Sequence, residues 1–125
     1  MNQALMLLNL RHAELSIVLV NDSRMQELNS NYRGIDKTTD VLSFPLLEAD
    51  EQPPKGQYFL LGDIVINLHL ASRMGNFEEI LLELLVHGLL HLVGFDHEKS
   101  KIEDKKMKKA AEDMINAIKK MDNVS

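Results

Sequence analysis

The chain has 125 residues, the length of about one domain, and its 45% hydrophobic and 26% charged composition excludes disordered and fibrous classes. It contains no cysteine, so disulfides, iron–sulfur clusters and cysteine-type zinc sites are excluded, and any metal must be held by His, Asp or Glu. The net charge of −5 divides into −8 over residues 1–98 and +3 over residues 99–125. The acidic body is weak evidence against a nucleic-acid binder, and the Lys-rich tail is more typical of a solvated helix than of a phosphate-binding patch.

Membrane and export signals are missing from the sequence. No run approaches the ~18 apolar residues of a membrane span, and MNQALMLLNLR has no basic stretch ahead of its apolar part. We therefore expect a cytoplasmic protein with a single domain, residues 1–125, and no membrane partner.

The first half of the chain alternates helices and strands. Leucine spacing predicts a helix over residues 2–11, and the β-branched run ELSIVLV predicts a strand over residues 14–20. Asn21 and Asp22 offer N-cap oxygens for the next helix, which ends at Gly34. VLSFPLL predicts a second strand, in which Pro45 marks a sheet edge or the end of pairing.

The second half starts with a charged loop, EADEQPPKGQ, and a third strand, YFLLGDIVIN, with a bulge or close approach at Gly62. Asn67 can cap a short helix, and a longer helix over residues 77–93 ends at a left-handed Gly94. A last amphipathic helix covers residues 101–121. The order α-β-α-β-β-α-α-α predicts an α+β fold, in which helices cover a small mixed β-sheet.

Three of the five histidines lie in HGLLHLVGFDH, residues 87–97. The helix that contains His87 and His91 is apolar on every side, which predicts a buried central helix. Residues four apart on a helix point the same way, so the two imidazoles converge. Because unpaired buried polar groups would cost roughly 1–3 kcal/mol each, a metal held through the ring nitrogens is an economical explanation. The turn at Gly94 can return His97 to the same point, and three neutral histidines with an open fourth position describe a catalytic zinc site.

The spacing H-x-x-x-H-x-x-G-x-x-H is that of the metzincin metallopeptidases, with one change. Gly88 stands where the peptidase has its glutamate general base. Without that carboxylate, peptidase chemistry is disfavoured, whereas zinc binding is not.

Hydrolysis of a phosphodiester is within the chemistry of a zinc-activated water. It also needs a cation at the phosphate, and Arg33 is the best candidate because a planar guanidinium can pair two phosphate oxygens. The alternative is that Arg33 pairs with Asp36 or Asp40 and braces the loop. Asp96 can orient a ligand histidine or cap a turn, and Ser43 can line a cleft.

Three stretches, in order, resemble one known family. HGLLHLVGFDH is similar to the H-G-x-L-H-L-x-G-[YF]-D-H signature of the YbeY family of bacterial endoribonucleases and rRNA maturation factors. NSNYRGIDKTTDVLSFP and LGDIVIN are similar to two further segments of that family. The similarity runs from about residue 14 to residue 98. Thr38 differs from the family pattern, in which a proline is common at that position.

This resemblance implies an α+β fold and one zinc per chain on His87, His91 and His97. It also implies a hydrolase that cleaves single-stranded RNA at the 3′ end of 16S ribosomal RNA and takes part in ribosome quality control, with ribosomal or small-subunit proteins as possible partners. Arg33 is implied to be needed for activity, and Asp63 to lie next to the cleft. Family members usually begin with an additional strand, so we expect a smaller sheet here.

Two other functions stay open at this point. One is a zinc-dependent hydrolase of a peptide or small molecule. Gly88 is evidence against the peptidase form of this alternative. The other is a non-catalytic ribosome-assembly factor in which the metal is structural. An open coordination position would separate the second alternative from both hydrolases.

Overall fold

A computed structural model describes residues 12–46, 56–94 and 100–124, with side chains up to residue 121. The predicted helix over residues 2–11 lies outside this part of the chain. Within it are three strands and four helices: β1 (Ala13–Val20), α1 (Asp22–Arg33), β2 (Val41–Pro45), β3 (Phe59–Asn67), α2 (Leu68–Arg73), α3 (Phe77–Leu92) and α4 (Lys101–Val124). The α+β class and the mixed sheet are confirmed.

The sheet has the order β1-β3-β2, with β3 parallel to β1 and antiparallel to β2. Pairing of β1 with β3 shifts between Glu14, opposite Leu60, and Leu15, opposite Gly62. The predicted irregularity at Gly62 is therefore a bulge that leaves Leu61 as the extra residue. Pro45 is the last residue of β2, and β2 forms one edge of the described sheet, as its proline predicts.

Opposite faces of the sheet pack against different helices. Ile64 and Ile66 belong to the main core cluster with α3 and α4, whereas Val65 packs with Met25 of α1 and with Leu42. This division follows from the alternation of side chains along a strand. The histidine helix α3 and the arginine-bearing helix α1 thus lie on the two sides of the same strands.

Burial along the helices differs in two places from the sequence prediction. The second half of α3 is buried almost all round, but its first turns expose Phe77, Glu78 and Glu79. Met121, at the predicted end of the last amphipathic helix, is 37% exposed, whereas Met107, Met114 and Ile118 of its apolar face are buried. Both exposed segments lie at helix ends that extend past the core.

A buried amide joins three segments at the carboxyl end of β3. Asn67 is fully buried, and its Nδ2 donates to Asp22 Oδ1 at 2.7 Å, to Thr38 Oγ1 at 2.9 Å and to the Thr39 carbonyl at 3.3 Å. Its Oδ1 accepts from the Leu70 N–H at 3.2 Å, which is the predicted N-cap of α2. The Thr38 hydroxyl also donates to the Asp22 carbonyl at 3.2 Å. Thr38 therefore contributes a side-chain bond that proline could not make.

Asp22 makes the stability of this junction depend on pH. The Asn67 amide, helped by Arg73 Nη2 at 3.1 Å, holds the pKa of the Asp22 carboxyl below its usual range. A lowered folded-state pKa stabilises the fold above the ordinary aspartate pKa of about 3.9, and this contribution disappears as the pH falls through the folded value. We expect Asp22→Asn to unfold in less urea than the native chain above about pH 5, with the difference shrinking below about pH 4. The exposed Asp113→Asn is the control, and a difference for Asp22→Asn that stays constant over this range would contradict the assignment.

Candidate functional site

The two histidines of α3 face each other. His87 Nε2 and His91 Nε2 are 3.2 Å apart, and the ring centroids are 4.7 Å apart with an interplanar angle of 71°. Both side chains are half-buried, at the border between the core and the surface. The convergence predicted from the four-residue spacing is therefore present. At this separation, either one imidazole donates its N–H to the other or both nitrogens bind a shared cation.

This arrangement fits a zinc ion. Zinc binds histidine nitrogen at about 2.0–2.1 Å in a tetrahedral arrangement, so two ligand nitrogens on one ion lie roughly 3.3 Å apart. The observed 3.2 Å between the two Nε2 atoms is close to that value. Imidazole nitrogen is also a ligand type that zinc prefers.

The third predicted ligand, His97, and its neighbour Asp96 lie outside the described residues. Across residues 12–46, 56–94 and 100–121, no group of three His, Asp or Glu side chains is gathered as a metal site. What the structure describes is thus a pair of candidate ligands, and the zinc site of three histidines stays a prediction.

Local sequence explains how α3 starts and ends. Asn76 caps its N-terminus by accepting from the Glu79 N–H at 3.1 Å, and the acidic side chains of Glu78 and Glu79 stand in the first turn, where the helix dipole favours them. At the other end, the Gly94 N–H donates to the His91 carbonyl at 3.1 Å, and Gly94 has φ = +107°. The predicted glycine at the helix end is confirmed, so the chain turns directly after the histidine pair.

Gly88 brings α3 into close contact with the sheet. A Cβ atom at this position would lie 2.8 Å from Ile64 Cγ2 and 3.3 Å from Ser43 Oγ. Both distances are shorter than ordinary contacts, and Ile64 is fully buried. The position that carries the general base in the metallopeptidase motif therefore points into the sheet, with no room for a side chain.

Ser43 connects β2 to the histidine helix. Its hydroxyl donates to the carbonyl of Gly88 at 2.9 Å, at the residue that directly follows His87. Ser43 was predicted to line a cleft; in the structure it is half-buried and holds the backbone between the two histidines. Sequence reasoning missed this role because residues 43 and 88 are far apart in the chain.

Gly62 provides a second close approach for α3. A Cβ atom here would lie 2.6 Å from the Phe44 carbonyl oxygen and 2.7 Å from Leu92 Cδ2. The close approach predicted at Gly62 is thus confirmed, and its neighbours are β2 and the end of α3. Together, Gly88 and Gly62 let the last two turns of α3 lie directly on the sheet.

Arg33 and Asp63 lie on the other side of the sheet. Arg33 is the exposed last residue of α1, and it is followed by a left-handed Gly34 whose N–H donates to the Ser30 carbonyl at 3.1 Å. The loop after it is fastened by Asn29, whose Nδ2 donates to the Lys37 carbonyl at 2.8 Å. Asp63 is half-buried and shares its strand face with Val65, toward α1. Among the predicted site residues that are described, the structure brings together His87, His91 and Ser43.

Three lysines of α4 form ion pairs within their own helix. Lys106 with Glu103, Lys108 with Asp104, and Lys109 with Asp113 are 3.5, 2.9 and 3.5 Å apart. The lysine side chains are exposed, and such i,i+3 and i,i+4 pairs are of the kind found on solvated helices. The structure therefore favours the solvated-helix interpretation of the basic tail.

A search of the described helices found none with the length and apolar character needed to cross a membrane.

Comparisons with known proteins give a consistent result. The family model described as Endoribonuclease YbeY matches residues 1–119. A relative from Persephonella marina, named Endoribonuclease YbeY, is 48% identical over 77% of this chain and 64% of its own length. One from Aquifex aeolicus with the same name is 40% identical over 94% of this chain and 78% of its own length. A relative of that name from Rhodopseudomonas palustris is 47% identical over 70% of this chain and 55% of its own length. The matched part of this chain therefore spans little more than half of that relative's length.

The fold also has a solved counterpart. The solution structure of a protein from Thermotoga maritima is similar with a TM-score of 0.54 and 30% identity, over 95% of this chain and 79% of that one.

Proposed function

We propose that this chain, which belongs to the YbeY endoribonuclease family, hydrolyses single-stranded RNA at a zinc site held by His87, His91 and His97. The observation that carries the proposal is the 3.2 Å separation of the two Nε2 atoms, which suits two ligands of one zinc ion. His97 follows the Gly94 turn at the family spacing and completes the set. Three protein ligands leave the fourth position for water or substrate.

The chemistry is divided between the bound ion and the chain. A zinc ion, when bound, supplies Lewis acidity toward a phosphodiester and activates water. His87 and His91 would hold that ion through their ring nitrogens, and Ser43 fixes the backbone between them. Arg33 pairs with the substrate phosphate, because its planar fork matches two phosphate oxygens.

Gly88 supports RNA hydrolysis over the peptidase alternative. A metallopeptidase of this motif needs a glutamate general base at that position. Here the position faces Ile64 and Ser43 within the core, so no side chain at residue 88 could reach a substrate. Hydrolysis of a peptide at this site would therefore lack the general base of the metallopeptidases.

The proposed substrate is the single-stranded 3′ end of 16S ribosomal RNA, with action in the cytoplasm during ribosome maturation and quality control. The substrate and the role in ribosome maturation are carried over from the family resemblance, and the cytoplasm is the expectation stated from the sequence.

The experiment that tests this proposal compares substrates. Zinc-loaded protein is incubated with a labelled single-stranded RNA, with the same RNA annealed to its complement, and with a labelled peptide. We expect internal cleavage of the single strand alone. Cleavage of the peptide, or of no substrate, would contradict the proposal, and the second result would favour a structural metal. His91→Ala protein, prepared identically, reveals contaminating nuclease.

Arg33 gives a prediction that separates charge from geometry. Arg33→Lys keeps the positive charge but loses the two-pronged pairing, so we expect kcat to fall roughly tenfold or more with the melting temperature unchanged. Arg24→Lys is the matched control, because Arg24 is an exposed arginine of the same helix that pairs with Glu27 at 3.2 Å. Equal turnover by Arg33→Lys and native protein would remove the bidentate role.

A further inference from the structure

Tyr32 is an exposed aromatic residue whose ring packs against a second ring. Its side chain lies in the last turn of α1, 68% exposed, and its ring packs edge-to-face with Phe44 at a centroid distance of 5.1 Å and an angle of 68°. Phe44 is half-buried and joins the cluster of Met25, Leu42 and Val65. The Tyr32 ring is therefore held in place at one edge, while most of its surface faces solvent.

Two basic residues, both exposed, follow this ring closely in the sequence. Arg33 is the next residue and is exposed, and the exposed Lys37 is fastened to α1 through the bond from Asn29 Nδ2 to its carbonyl. The Asp36 carboxylate, the nearest acid in this loop by sequence, accepts from Gln26 Nε2 at 3.1 Å. Exposed aromatic rings beside arginine and lysine are the combination with which proteins stack and hold single-stranded RNA.

The ring is also linked to the histidine pair by a chain of contacts through β2. Phe44, which supports Tyr32, is the neighbour of Ser43, which bonds to Gly88 between His87 and His91. Side chains 43 and 44 point to opposite faces of β2, and β2 is an edge of the described sheet. A flexible strand of RNA that passes round this edge would reach both the ring and the histidines.

We propose that Tyr32 is a base-stacking residue, which binds a nucleobase that flanks the phosphodiester to be cleaved. The inference rests on the proposed endoribonuclease function and adds a substrate subsite to it. The stacked base lies on the α1 side of β2, and Arg33 contacts the phosphate between that base and the histidine pair. Because stacking is tolerant of sequence, the site predicts a preference for single strands and, more weakly, for purines, which have the larger rings.

The test uses the full chain and measures RNA binding separately from cleavage. Binding of short labelled oligoadenylate and oligouridylate with 2′-O-methyl groups is followed by fluorescence anisotropy. Tyr32→Leu is expected to raise Kd roughly 5- to 100-fold, more for oligoadenylate than for oligouridylate. Tyr32→Phe keeps the ring and should bind within about twofold of native protein.

Tyr58 provides the matched control. It is the other tyrosine of the chain, is 73% exposed and packs edge-to-face with a second ring, that of His12, at 5.1 Å. Tyr58→Leu should leave Kd unchanged. Equal binding by Tyr32→Leu and native protein, or equal losses in Tyr32→Leu and Tyr58→Leu, would overturn the inference.

Cleavage assays on the same variants separate the two proposals. If native protein cleaves RNA and Tyr32→Leu raises KM with little effect on kcat, both stand. If Tyr32 controls binding but native protein cleaves no RNA, the stacking site stands and the endoribonuclease proposal fails. If native protein neither binds nor cleaves RNA, both fail.

Discussion

Replacement of His91 by alanine is expected to reduce RNA cleavage by more than about a hundredfold while the protein remains folded. Loss of a residue that only orients a metal ligand typically costs 10–100-fold in metal affinity or activity, and loss of the ligand itself should cost more. His91 lies opposite His87 at 3.2 Å, so alanine removes one of the two nitrogens that face the proposed ion. Because the side chain is only half-buried, the fold should tolerate its removal.

The measurement combines initial rates on labelled single-stranded RNA, bound zinc by atomic absorption, and thermal unfolding by circular dichroism. His69→Ala is the matched control, since His69 is exposed and lies on α2. We expect the His91 variant to lose both zinc and activity and the His69 variant to keep both. A His91 variant with native activity would show that the histidine pair is not catalytic.

The second large effect is expected at Gly88, where the sign of the change in stability on substitution by alanine is informative. On an open helix surface, Gly→Ala stabilises a protein by about 1 kcal/mol, because alanine is the better helix former. At Gly88 the new Cβ would meet Ile64 Cγ2 at 2.8 Å. Ile64 is fully buried and β-branched, so it has little freedom to move. We therefore expect Gly88→Ala to destabilise the protein by about 1–3 kcal/mol, as is typical of overpacking.

Urea unfolding at equilibrium measures this change, with Glu83→Ala on the exposed side of α3 as the control. The double variant with Ile64→Ala should lose less stability than the sum of the two single variants, because the second change removes the clash. Gly88→Glu, which restores the peptidase motif, should fail to fold rather than acquire peptidase activity. A more stable Gly88→Ala protein would mean that α3 does not press on the sheet at this point.

Local features of the fold were predictable from the sequence. The strands, the cap at Asn67 and the glycine turn at Gly94 depend on neighbouring residues, and each lies where the sequence places it. Of the two N-cap candidates Asn21 and Asp22, the structure uses Asn21. The convergence of His87 and His91 follows from helix geometry alone.

Contacts between distant segments could not be predicted in this way. The sequence showed Asn67 as a helix cap, but its bonds to Asp22 and Thr38 depend on how β3 pairs with its neighbours. In the sequence, Gly88 is informative only because it replaces the glutamate of the metallopeptidase motif. Its close contact with Ile64 depends on the position of α3 over the sheet. The H-G pair at the start of the motif was the available signal, since a glycine in the middle of an apolar helix often marks close packing.

The most direct test of the account is a zinc titration that records metal binding and RNA cleavage on the same metal-stripped protein. If the histidine site is catalytic, cleavage rises in proportion to bound zinc and saturates at one ion per chain, and His91→Ala shows neither change. Full cleavage without bound metal, or one tightly bound zinc without cleavage of single-stranded RNA, would contradict it.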